Sequence, residues 1–271
     1  MNIKTYIVDA FTTEAFKGNP AGVCLLEEPL ADGQMQAIAA ELNLSETAFL
    51  RQQPEQVDKF DIRFFTPTVE MAFCGHATLA SAKVVLDKIG LSRVTFRTHQ
   101  NLVLQATKEK DNILMQFPLY GYQPLPHQPL VSEALGLPST NHFYFAEEIQ
   151  MLLLEVPDKA TLLQITPDFP RLVKALDTVN GLAVTTKSED QEYDFYTRCF
   201  WPWVGINEDP VTGSAHSALA RFWADRLQKT ELKAFQLSAR GGFLHLKLKN
   251  DNILEVRSQA QIVLEGTLFL T

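Results

Sequence analysis

The chain has 271 residues, 46% hydrophobic and 21% charged, the composition of a globular protein with a core of its own. Its 24 basic and 32 acidic side chains leave a net charge of −8, which argues against a nucleic-acid partner and confines any anion site to a local patch of positive potential. No apolar run approaches the roughly 18 residues that span a bilayer, and the opening MNIKTYIVDAF alternates as a strand without the apolar stretch of a signal peptide, so the expectation is a cytoplasmic protein that does not enter a membrane.

In chain order, the pattern predicts a strand over 3–10, a turn at Gly18-Asn19-Pro20-Ala21-Gly22 and an apolar strand over 23–26. An amphipathic helix over 33–43 follows, with Met35, Ile38, Ala39 and Leu42 at helical spacing and Asn43 as its stop. Ser45-Glu46-Thr47-Ala48-Phe49-Leu50 leads into a strand, and 60–65 makes another. The loop Glu70-Met71-Ala72-Phe73-Cys74-Gly75-His76 opens a small-residue helix over 77–89, and strands over 94–97, 102–106 and 113–117 close this half. Prolines 118, 124, 126, 129 and 138 then mark a boundary between two lobes, 1–117 and 118–259, with the last strand, 260–271, able to join the first. The second half predicts strands over 151–156, 181–185 and 194–200 and a helix near 168–175. A polar loop, Glu208-Asp209-Pro210-Val211-Thr212-Gly213-Ser214-Ala215-His216, opens an apolar helix over 217–228, and strands over 242–247, 253–257 and 261–270 finish the chain.

A shift of 138 positions lays one half on the other: Gly75 on Gly213, Ala77 on Ala215, Ala80 on Ala218, Lys83 on Arg221 and Asp87 on Asp225. Agreement in glycine, alanine, base and acid at one register indicates a duplicated unit. The expected fold is therefore α+β, with two pseudo-repeated lobes, each a curved, mostly antiparallel sheet wrapped around a central helix. Both helix N-termini are expected at the cleft between the lobes, where their unpaired N–H groups and dipoles would favour a carboxylate or an enolate-like charge. From the residues alone, Asp209 and Ser214 equally suit the capping of a core helix, and Glu46 equally suits a solvated strand start.

Five stretches resemble the phenazine-biosynthesis PhzF-type isomerase family: Gly18-Asn19-Pro20-Ala21-Gly22-Val23, Ser45-Glu46-Thr47-Ala48-Phe49, Phe65-Thr66-Pro67, Cys74-Gly75-His76-Ala77-Thr78-Leu79-Ala80 and Glu208 through His216. They span nearly the whole chain in the family's order. The resemblance implies a diaminopimelate-epimerase-like fold and a cofactor-independent proton shift on a small carboxylic acid, of the trans-2,3-dihydro-3-hydroxyanthranilate isomerase type. It also implies Glu46 as general base and acid and His76 and Asp209 as the groups assisting it. Ser214, Gly213, Gly75 and Asn19 would bind the substrate, and a homodimer is the family's expectation. A carboxyl group moving a carbon-bound proton near neutral pH calls for a raised pKa, which desolvation by Phe49 and the cleft is expected to supply.

Related racemases use two opposed cysteines. Cys74 stands where one would be, but the repeat places Thr212 opposite, and a hydroxyl is too weak an acid for that role. Cys24, Cys74 and Cys199 are far apart without CxxC spacing, and Cys74, His76, His216 and Glu70 lack a metal-site spacing, so no metal is expected. No GxGxxG or P-loop is present to hold a nucleotide cofactor. The contrasting reading is a binding or partner-interaction protein that keeps the same fold without turnover.

Overall fold

The computed structural model describes residues 1–138, 142–176, 178–250 and 252–270. Thr271, the last residue of the expected C-terminal strand, lies outside them. The chain divides into two compact units, residues 1–116 with 256–271, and residues 117–255.

In the first unit, β1 (Asn2–Ala10) pairs antiparallel with β2 (Asn19–Leu26), and α1 (Asp32–Leu42) carries the chain to β3 (Glu46–Gln52), parallel to β2. β4 (Lys59–Phe65) returns antiparallel to β3, and the two-residue β5 (Glu70–Met71) folds back on it. α2 (Gly75–Val84) crosses to β6 (Arg93–Thr98), parallel to β4, before the antiparallel β7 (Val103–Glu109) and β8 (Asn112–Pro118). Each parallel pair needs a crossover, and the two helices supply them. They lie on opposite faces. Met35, Ile38 and Ala39 of α1 pack on Cys24, Phe49 and Phe65, whereas α2 touches β1, β2, β3 and β7, strands so widely spread that the sheet must curve around it.

The second unit repeats this order. β9 (Gln123–Leu125), α3 (Pro129–Ala134), β10 (His142–Ala146) and β11 (Met151–Glu155) come first. α4 (Lys159–Gln164) and α5 (Phe169–Ala175) then cross to β12 (Gly181–Lys187), parallel to β11. β13 (Phe195–Trp201) and the short β14 (Ile206–Asp209) precede α6 (Gly213–Leu227), which crosses to β15 (Glu231–Gln236), parallel to β13. β16 (Gly242–Asn250) and β17 (Ile253–Ser258) follow, and β18 (Ala260–Phe269) pairs along the whole of β1. α6 is buried on nearly every side, including Leu219, Phe222 and Trp223, as its all-round apolar sequence requires. The sheet-around-helix architecture and its repetition are as the sequence led us to expect. Among the described residues, no helix is long and apolar enough to cross a membrane.

Three local expectations are corrected. Asn19-Pro20-Ala21-Gly22 begins β2 and is not a turn. The reversal spans residues 11–18 and closes at Gly18, with φ of 64°, where a Cβ would lie 2.1 Å from Ala10 O; Gly22 leaves room for Thr47, whose Oγ1 would be 2.8 Å from a Cβ. Both central helices also start earlier than their apolar periodicity indicates, at Gly75 and Gly213, because the histidines near their starts are buried by polar contacts that an apolar pattern does not register. The sequence pattern does not predict α3, α4, β5, β9, β10, β14 and β15; they are short, and all but β10 carry proline or charge that breaks the pattern.

Candidate active site

In the first unit, β2, β3 and the start of α2 converge on one imidazole. His76 is buried in the first turn of α2, and its Nε2 lies 3.1 Å from Glu46 Oε2 and 3.2 Å from Ser45 Oγ. On the other side its Nδ1 is 3.4 Å from Cys74 Sγ. Ser45 Oγ also reaches Asn19 Oδ1 at 3.4 Å and Pro20 O at 3.2 Å, which fixes the strand start against its neighbour. Glu46 is only 8% exposed, so it is no solvated strand start. Its contact with His76 has the distance of an ion pair without the alignment of a hydrogen bond, and Glu46 Oε2 therefore keeps an acceptor position open.

The expected elevation of the Glu46 pKa is overturned. Burial does push it upward, but the charge of His76, with the polar groups of His76 and Ser45 close by, outweighs burial and holds the carboxyl below its ordinary value. Phe49 contributes no desolvation on this side, because it stands three residues along β3 and belongs to the cluster under α1. His76 moves the opposite way. Burial disfavours its charge, yet Cys74 and Glu46 together raise it well above 6.5. Cys74 is held as a neutral thiol by burial and by the Glu46 charge. The resting state is a carboxylate beside an imidazolium, with Nδ1–H directed at sulfur and Nε2–H at oxygen.

In the second unit, Asp209 ends β14 and accepts a 2.5 Å hydrogen bond from Thr212 Oγ1. Gln236 of β15 locks the loop: its Oε1 accepts from Thr212 N at 2.9 Å and its Nε2 donates to Asp209 O at 2.7 Å. Gly213 and the half-buried Ser214 form the first turn of α6. His216 is buried and bonds Thr212 O through Nδ1 at 2.7 Å. Burial lowers its pKa to about 4, so it is neutral.

The structure thus gathers Asn19, Glu46, Gly75 and His76 within the first unit, and Asp209, Gly213 and Ser214 within the second. Sequence reasoning assigned no role to Ser45, Cys74 or Gln236. Ser45 and Cys74 are visible as neighbours of Glu46 and His76 in their motifs; Gln236 lies in a strand that was itself missed. Glu46, Cys74 and His76 also set a carboxylate oxygen, a thiol sulfur and an imidazole nitrogen within 4.8 Å of one another. Such donors could take a thiophilic divalent cation, a grouping that spacing in sequence did not reveal.

The duplicated sheet-around-helix fold is shared with a family whose members include proteins named as isomerases, and the chain is an isomerase of that class. The chain belongs to the phenazine biosynthesis-like protein family (PhzC-PhzF), whose profile matches residues 8–266. It is 43% identical over 273 residues to an uncharacterized isomerase of Halalkalibacterium halodurans, covering all of both chains. It is 42% identical over 287 residues to the human phenazine biosynthesis-like domain-containing protein, covering 99% of each. The crystal structure of an Enterococcus faecalis PhzF-family protein superposes with a TM-score of 0.92 at 38% identity, again over all of both chains.

Proposed function

We propose that the protein moves a carbon-bound proton on a small, unsaturated or cyclic carboxylic acid, in a reaction of the trans-2,3-dihydro-3-hydroxyanthranilate isomerase type. The buried Glu46–His76 pair carries this reading. Glu46 is ionised and has an acceptor position open, so it can take a proton from a carbon conjugated to the substrate's unsaturation. The electrons left on that carbon delocalise as a dienolate, and Glu46, whose proton exchanges with solvent in the intermediate, delivers a proton to a different carbon. The net change is one C–H bond broken and one formed. Only a proton moves, so the reaction needs no redox cofactor.

His76 remains protonated throughout and offsets the negative charge that passes from Glu46 to the substrate. A base below its ordinary pKa is the weaker base, so the chemistry depends on an acidic C–H, which conjugation to a carboxylate or enone provides. Within the first unit the N–H of Gly75 would receive a substrate carboxylate; in the second, Asp209 would hold a polar substituent, and Gly213 with Ser214 offers a like helix start to a carboxylate. Asn19 would fix Ser45 and, through it, the imidazole. The test is incubation of dihydro-hydroxyanthranilate and a panel of unsaturated carboxylic acids in deuterated water. Wild type should place deuterium on a substrate carbon, and Glu46→Gln should lower the exchange by roughly 10²–10⁴-fold while keeping its circular dichroism. Exchange at the wild-type rate in that variant would refute the reading.

A further inference from the structure

Four neighbouring strands of the first unit bring Leu26, Arg51, Asp61 and Arg97 into one cross-strand row. Side chains alternate along a strand, so this row shares a face of the sheet with Phe49 and Arg63, the face away from Glu46. A cavity of about 410 Å³ opens over it, inside the range of roughly 300–1,000 Å³ typical of small-ligand sites. Phe49, Met35 of α1 and Leu30 give the cavity an apolar wall, and Arg51 and Arg97 give it a cationic one.

The charges on that wall do not cancel. Asp61 serves both guanidinium groups, at 3.5 Å from Arg51 and 3.2 Å from Arg97, and also accepts a 2.7 Å bond from Gln53. One carboxylate between two guanidinium groups leaves one positive charge over. Arg63, also at the cavity, is committed elsewhere: Glu70 grips it with two bonds of 2.7 Å and Asp32 with one of 2.6 Å. Asp32 is 80% exposed, so water screens the surplus negative charge of that group. Arg51 and Arg97 are 41% and 52% exposed and can be reached from solvent. A chain of net charge −8 therefore has a local cationic rim beside an apolar pocket.

We infer that this cavity is a second ligand site, separate from Glu46, for a small monocarboxylate with an apolar body of ring size. The carboxylate lies at Arg51 and Arg97, where one surplus charge matches a monoanion, and the apolar body lies against Phe49, Met35 and Leu30.

The probe is phenylacetate, titrated into protein with ¹³C-labelled methionine methyl groups, whose Met35 signal reports on the cavity wall. Phenylacetate should shift Met35 saturably. Its neutral isostere phenylacetamide and the bodiless acetate should each bind about tenfold more weakly or worse, each lacking one half of the recognition. Arg97→Gln should weaken phenylacetate about fivefold, the worth of a partly exposed ion pair, and adding Arg51→Gln should weaken it further. Glu46→Gln should leave the Met35 titration unchanged, which separates this site from the catalytic one. The inference is overturned if phenylacetate leaves Met35 unmoved, or if phenylacetamide matches phenylacetate. It is equally overturned if the double variant, its other methionine signals intact, binds as wild type does.

Discussion

Thr78 and His216 occupy matching positions in the first turns of α2 and α6, and both bond back to the carbonyl four residues earlier. Thr78 Oγ1 donates to Cys74 O at 2.7 Å, and His216 Nδ1 meets Thr212 O at 2.7 Å. Each loop also has an upstream glutamate clamped by an arginine: Arg63 holds Glu70 at 2.7 Å, and Arg198 holds Glu208 at 2.8 and 2.9 Å. The shared plan thus extends to the hydrogen bonds that shape the helix start. The histidines depart from it. Ser214 stands where His76 does, and the second loop's own histidine is two residues on, facing its helix and Phe195 with no carboxylate against it among the described residues. Burial acts on both imidazoles in the same direction, yet one is held charged and the other neutral. The neighbours decide: Cys74 and Glu46 meet His76, and among the described residues His216 has no such pair against it.

Removing His76 tests the contrast most severely. His76→Gln should leave Glu46 with burial as the dominant influence, so its pKa rises above the ordinary 4.5. Deuterium exchange should fall by roughly 10²-fold, and the acid limb of the pH–rate profile should move upward. An acid limb that stays in place would show that His76 does not set the charge of Glu46.

His216 should betray itself through stability at acid pH. Its folded pKa is about 4 against an ordinary 6.5, so the unfolded chain binds the extra proton between those values. The stabilisation is complete above 6.5 and is lost as pH falls toward 4, by about 3 kcal/mol in all. The Glu46–His76 pair has the opposite dependence on its histidine side. The His76 contribution is complete below 6.5 and is lost only as pH rises through the elevated folded value, while the Glu46 contribution is complete above 4.5 and lost as pH falls through its depressed one. Urea midpoints from pH 7 to pH 4 should therefore fall in wild type and fall less in His216→Thr, which places the hydroxyl of the first loop in the second. Equal acid sensitivity of the two proteins would mean that His216 is not the group responsible.

The duplicated plan was legible in the sequence because glycine, alanine and paired charges repeat at one register, and those residues are fixed by the close packing of a helix inside a sheet. Glu46 and His76 were legible through their motifs. Their charge states were not, since these depend on a contact across 30 positions of chain and on the face of β3 that each residue occupies. Phe49 shows the difficulty: three residues from Glu46 it reads as a desolvating neighbour, but alternation sends it to the other face, beneath α1. Gln236 was hidden for another reason. Its strand, ELKAFQ, alternates across charged residues, and its role consists of two bonds to backbone that no pattern encodes.

The smallest expected effect concerns the shared back-bond itself. In Thr78→Val the hydroxyl is lost at nearly constant volume. Cys74 O still accepts from Thr78 N at 3.0 Å, so no carbonyl is stranded, and the cost should be about 0.5–1 kcal/mol in urea unfolding. His216 has the same relation to Thr212 O, but its ring also fills space beside Phe195 at 6.0 Å between centroids. Its replacement by threonine should therefore cost more at pH 7, about 2 kcal/mol, through the cavity it leaves. Equal costs at the two positions would mean that the back-bond alone accounts for both residues. The larger cost at His216 would show that the second unit uses its histidine for packing, leaving charge to the first.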